Sequence, residues 1–67
     1  MKLYCIYCDL GSENEIDSCF GSYNEALKRL QELKNQRNDI FQDNEDVIVF
    51  ENDDLYEILT TELKENK

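Results

Sequence analysis

The sequence predicts a small α+β domain of β-β-α-β-α order. Its three-stranded antiparallel sheet, in the order 2-1-3, packs against one long helix, with a short C-terminal helix. Three observations predict it: two strand-forming runs separated by a short turn, one capped stretch with helical periodicity, and a β-branched run, VIVF, further on. At 67 residues the chain forms one domain, residues 1–67, with one small core.

Residues 2–10, KLYCIYCDL, are rich in strand formers. Leu3, Cys5 and Tyr7 fall on one face and Tyr4, Ile6 and Cys8 on the other. Both faces are apolar, which predicts a central strand. Gly11-Ser12-Glu13-Asn14 is turn chemistry. EIDSCF, residues 15–20, reads as a second strand, and the short connection predicts an antiparallel hairpin.

Ser22-Tyr23-Asn24-Glu25 is a capping box, Ser at the N-cap and Glu three residues on. Tyr23, Ala26, Leu27, Leu30 and Leu33 then follow the i, i+3, i+4 rhythm of an amphipathic helix, which should fade near Arg37-Asn38. DIFQDNED, residues 39–46, reads as a loop with Ile40 and Phe41 tucked beneath it. VIVF, residues 47–50, is the third strand. Asp54 as N-cap, with Glu57 three residues on, opens a helix carrying Leu55, Ile58, Leu59 and Leu63. Glu65-Asn66-Lys67 is expected to fray. In this arrangement the face bearing Leu3, Cys5 and Tyr7 needs the C-terminal helix or a second subunit to cover it.

Cys5-Ile6-Tyr7-Cys8 has the spacing of zinc and redox motifs. In a strand, residues three apart point to opposite faces, so these two thiols cannot meet one metal ion. A redox C-x-x-C sits at a helix N-terminus rather than inside a strand. Both cysteines therefore read as small apolar strand residues. If the hairpin pairs Tyr4 with Phe20, Cys5 faces Cys19, and a cross-strand disulfide on oxidation stays open.

Histidine is absent, which removes the commonest general base. With 16 acids in the chain, some carboxylate pair always looks suitable for catalysis, so such pairs carry little information. Asp43-Asn44-Glu45-Asp46 lacks the central glycine of a calcium loop. The expectation is a non-enzyme with no metal and no cofactor.

The net charge of −9 is unevenly spread. Residues 1–21 carry net −3, residues 22–38 net +2 and residues 39–67 net −8. The helix thus reads as a mixed, solvated face with Lys28, Arg29, Lys34 and Arg37. The acidic balance argues against direct nucleic-acid binding and against attraction to an anionic membrane. No apolar run approaches the roughly 20 residues needed to span a bilayer, and the start has no signal-peptide character. Three cysteines do not form a secreted disulfide framework, so the expected compartment is the cytoplasm. Asp43, Glu45, Asp46, Glu51, Asp53, Asp54 and Glu57 are the candidate partner-binding acids. Spaced carboxylates on a small rigid domain imitate phosphate rows and compete for a Lys/Arg groove; the plainer reading is that they keep the chain soluble.

The stretch CFGSYNEALKRLQELK is similar to a strand-turn-helix of small accessory proteins from phages of low-GC Gram-positive bacteria. In length, acidity and format the whole chain resembles the anti-CRISPR and anti-restriction proteins among them. The resemblance carries over no functional residue. It implies a non-catalytic phage-type inhibitor, acting in the bacterial host cytoplasm on a nucleic-acid-handling effector such as a CRISPR nuclease. The partner would be a protein with a basic nucleic-acid-binding groove. The alternative is a homodimeric structural or assembly module joined through Leu3, Cys5 and Tyr7, with no mimicry.

Overall fold

A computed structural model describes residues 1–62 of the chain. They form β1 (Lys2–Asp9), β2 (Asn14–Phe20), α1 (Tyr23–Asn35), β3 (Ile40–Asp43), β4 (Val47–Phe50) and β5 (Leu55–Glu62). The five strands make one antiparallel sheet in the order β2-β1-β5-β4-β3. The class is α+β, but the expected three-stranded sheet of order 2-1-3 with two helices is corrected to five strands and one helix.

The first hairpin forms as expected, with Tyr4 opposite Phe20 and Cys5 opposite Cys19. Its turn is closed by Leu10 N–H donating to the Glu13 carbonyl at 2.8 Å. Gly11 sits there at φ 86°, a left-handed conformation that glycine adopts at no steric cost. A bulge at Ile6/Tyr7 interrupts the ladder.

The helix starts where its cap says. Ser22 Oγ accepts from the Glu25 N–H at 3.3 Å, and Ala26 N–H bonds the Ser22 carbonyl. It ends at Asn35, just short of the expected Arg37-Asn38, through tight bonds from Gln36 to Leu33 and from Arg37 to Lys34. The helix takes the chain from one edge strand, β2, to the other, β3. The lengths match: 13 residues rise about 20 Å, and the four gaps of a five-stranded sheet span about 19 Å.

Two expectations fail beyond the helix. Residues 39–46 are not a loop, because Ile40–Asp43 form β3 and a turn at Asn44-Glu45 leads straight into β4. Ile40 packs on the core, but Phe41, at a bulge, is 74% exposed and not tucked under anything. Residues 55–62 are a strand, not a helix; Leu63 and the expected fraying tail lie outside the described residues. Asp53-Asp54 belong to a hairpin turn instead of a cap, with Asp53 at φ 73° and Phe50 N–H donating to the Asp54 carbonyl. The cause is tertiary. β1 is apolar on both sides and needs a strand at each edge, and β5 supplies eight residue pairs with it, from Lys2↔Glu62 to Asp9↔Leu55. Tyr56, Ile58, Thr60 and Thr61 suit that role better than a helix. VIVF therefore lies beyond β5, not beside β1.

The core sits between α1 and one face of the sheet. Ile6, Cys8, Leu30, Ile48 and Phe50 form it, with Leu10, Phe20, Leu33, Ile40, Tyr56 and Ile58 packed around.

Candidate binding surfaces

Strand geometry separates the two cysteines of Cys5-Ile6-Tyr7-Cys8. Cys8 is buried in the core under the helix. Burial pushes its thiol up to about 11, the Asp17 and Glu15 charges adding to it and Arg29 opposing, so it is a packing residue with little thiolate at neutral pH. Cys5 belongs to the opposite face and forms a disulfide with Cys19, tying β1 to the edge strand β2. The reading of Cys5 as a free apolar residue is thereby corrected, and the pairing left open in the sequence is made. No group of three potential metal ligands stands together among the described residues.

The seven candidate acids do not form one surface. Asp43 is committed to Lys34 at 2.8 Å and accepts the Glu45 N–H, closing its own turn; the lysine holds its carboxyl below the usual range. Asp54 is bound to Arg37 at 2.9 Å. Asp46 is half-buried near the Tyr23 hydroxyl. That hydroxyl is shifted upward by desolvation first, then by the Asp46 and Glu45 charges. Glu45 is exposed in the β3–β4 turn, and Glu51 and Asp53 in the β4–β5 turn. These turns lie at opposite ends of β4, about 13 Å apart along the strand. Glu57 stands elsewhere, in mid-sheet.

The expected solvated face of α1 holds at Lys28, which is exposed, and is corrected at Arg29, Lys34 and Arg37, which are ion-paired. Arg29 pairs with Asp17 of β2 at 2.9 Å and with Glu32; its hydrogen bond holds the Asp17 carboxyl below the usual range. Arg37 is the most heavily bonded side chain among the described residues. Its Nε and Nη2 donate to the two carboxylate oxygens of Asp39 at 2.9 and 2.6 Å. Nη1 donates to Asp54 and to the Tyr56 hydroxyl, and Nη2 to Asn52. All five guanidinium N–H groups are thus engaged, and the plane lies 3.7 Å from the Phe50 ring centre. This cluster fastens the end of the helix to the β4–β5 turn. Sequence reasoning missed it, since Asp39 read there as part of a loop and Asp54 as a helix N-cap and a partner-binding acid.

Among the described residues no helix or second layer packs on the other face of the sheet. Leu3, Cys5 and Tyr7 of β1 face this side, as expected. Leu59 pairs with Cys5 and Glu57 with Tyr7, while Val47 pairs with Glu57 and Val49 with Leu55. Paired residues share a face, so this is a largely apolar surface with Glu57 set in its middle. Leu59 is 41% and Ile16, opposite Tyr7, 53% exposed. The C-terminal helix expected to cover it is itself part of the sheet. A groove lies instead along α1, lined by Phe20, Glu25, Lys28, Arg29 and Glu32. Arg29 there is already paired, and the groove is open and mixed in charge.

No family model, curated protein or solved structure matches this chain. The resemblance to phage accessory proteins therefore rests on the sequence alone. Among the described residues no helix is long and apolar enough to cross a membrane.

Proposed function

We propose that this chain is a non-catalytic binding protein that occupies a basic surface of a protein partner, of the kind that otherwise holds nucleic acid. One observation carries the reading: three of the five bases among the described residues are spent internally while a subset of the acids is not. Arg29, Lys34 and Arg37 are all held in ion pairs within the chain. Glu45, Glu51 and Asp53 are exposed in turns, Glu57 lies on the bare face of the sheet, and the chain carries −9 overall. Such a surface attracts Lys/Arg clusters and denies them to phosphate. In the phage-inhibitor form of this proposal the partner is a bacterial nucleic-acid effector in the host cytoplasm. There the exposed Cys19 leaves its disulfide open to reduction.

The test is affinity capture from a low-GC Gram-positive lysate carrying CRISPR and restriction systems, eluted by a salt gradient. Wild type is run beside a Glu45→Lys, Glu51→Lys, Asp53→Lys, Glu57→Lys variant. A nucleic-acid-handling protein that is released at moderate salt from wild type and lost from the variant supports the reading. The same protein retained equally by both refutes it. A second reading, a homodimer joined through Leu3, Cys5 and Tyr7, is favoured by their place on the uncovered face. A strict monomer at high micromolar concentration in sedimentation removes it.

A further inference from the structure

We infer that the bare face of the sheet is the docking surface, and that its occupant is a protein presenting an apolar ridge that carries a lysine or arginine for Glu57. This rests on the proposed function and specifies where the partner sits. A two-layer domain leaves one sheet face uncovered, and here that face is apolar rather than polar. Leu3, Tyr7, Val47, Val49 and Leu59 make it apolar on either side of Glu57, and Ile16 extends it to the edge strand.

Glu57 identifies the occupant. It is half-buried between Tyr7 and Val47, with an apolar neighbour in register on each side. Among the residues paired across the strands the other carboxylate on this face is Asp9, at the end of β1, and no lysine or arginine pairs into the face. Whatever covers the face takes the Glu57 carboxylate out of water. That is costly unless the occupant brings a positive partner. Among the described residues, a second copy of this chain laid face to face brings another Glu57 and another apolar sheet, and no base. A basic partner brings the missing charge, and the overall charge of −9 favours its approach.

The probes are two 12-residue peptides, one alternating Val/Leu with Lys and one alternating Val/Leu with Glu, titrated into isotope-labelled chain and followed by backbone amide shifts. The basic peptide is expected to move Tyr7, Val47, Glu57 and Leu59 saturably, and the acidic peptide is not. Glu57→Lys should weaken the basic peptide about tenfold or more, with Glu57→Gln intermediate and circular dichroism confirming the fold of both. If the shifts fall on Glu45, Glu51 and Asp53 instead, the docking face is wrong while the acidic binding function stands. If the basic peptide binds Glu57→Lys as well as wild type, or moves nothing, the inference is overturned. Protection of the same face by a dimer in sedimentation, with no effect of either peptide, overturns it in favour of the second copy.

Discussion

The two faces of the sheet are built from the same strands and are used differently. Along β1, Ile6 and Cys8 are sealed under the helix, while Leu3 and Tyr7 are only half-buried on the other side. On β4, Ile48 and Phe50 are buried and Val47 and Val49 are not. On the closed face every guanidinium N–H of Arg37 is engaged; on the open face Glu57 meets apolar neighbours and no base among the described residues. Alternation along a strand assigns residues to faces, but the elements packed on a face decide whether it becomes core or contact surface.

The largest effect that separates the faces should come from Leu30→Ala. It empties the centre of the closed face and should cost about 2–5 kcal/mol in chemical denaturation. If it costs no more than a surface change, the helix does not pack where described.

Next in size is reduction of Cys5–Cys19. The bond closes a loop of sequence separation 14, which is worth about 3 kcal/mol on the chain-entropy account. Denaturation with and without dithiothreitol should show that loss in wild type and none in Cys19→Ser. Cys8 should stay unalkylated by iodoacetamide in the folded chain at pH 8, given its burial and raised thiol pKa.

Arg37→Met keeps the packing on Phe50 but leaves Asp39 and Asp54 without their base. It should cost roughly 1–2 kcal/mol at neutral pH, since the cluster is partly open to water. The acid side sharpens this. Asp17, Asp39 and Asp43 are each held below the usual carboxylate range in the folded state, by Arg29, Arg37 and Lys34 respectively. The unfolded chain therefore binds more protons near pH 4. The stability these carboxylates contribute is complete above their unfolded pKa of about 4 and is lost as pH falls through the lowered folded values. Wild type should lose stability over that window, and Arg37→Met should lose less, because Asp39 no longer has a depressed pKa. Equal slopes in an acid titration followed by circular dichroism would remove Arg37 from this role.

The smallest effect should be Leu59→Ser on the open face, within about 0.5–1 kcal/mol. A loss as large as that of Leu30→Ala would mean that both faces are core.

Where local signals and tertiary demands agreed, the sequence was readable. The turn at Gly11, the Ser22 cap and the Leu30 stripe all act locally, and the first hairpin and the helix followed from them, while the hairpin's register stayed conditional. β5 was not readable that way. Leu55, Ile58 and Leu59 fit a helix, and Asp54 with Glu57 looks like a cap. What decides is that β1 needs a second partner, a demand that only the assembled sheet reveals. β3 was hidden for the same reason, since Ile40 gains by pairing with Phe50 across a turn that looks like an acidic loop. The sequence put seven acids in one candidate set. Their separation into bound, exposed and mid-sheet groups depends on bases such as Arg37, 17 residues from Asp54, which no spacing rule reaches.

The contrast between the faces is tested most directly by solvent paramagnetic relaxation of methyl groups in the labelled monomer, using an inert gadolinium chelate. The account expects strong relaxation at Leu59, Val47 and Val49, with Ile6, Leu30 and Ile48 protected. Equal protection on both sides would show that the chain covers its own open face, and the docking surface would not exist.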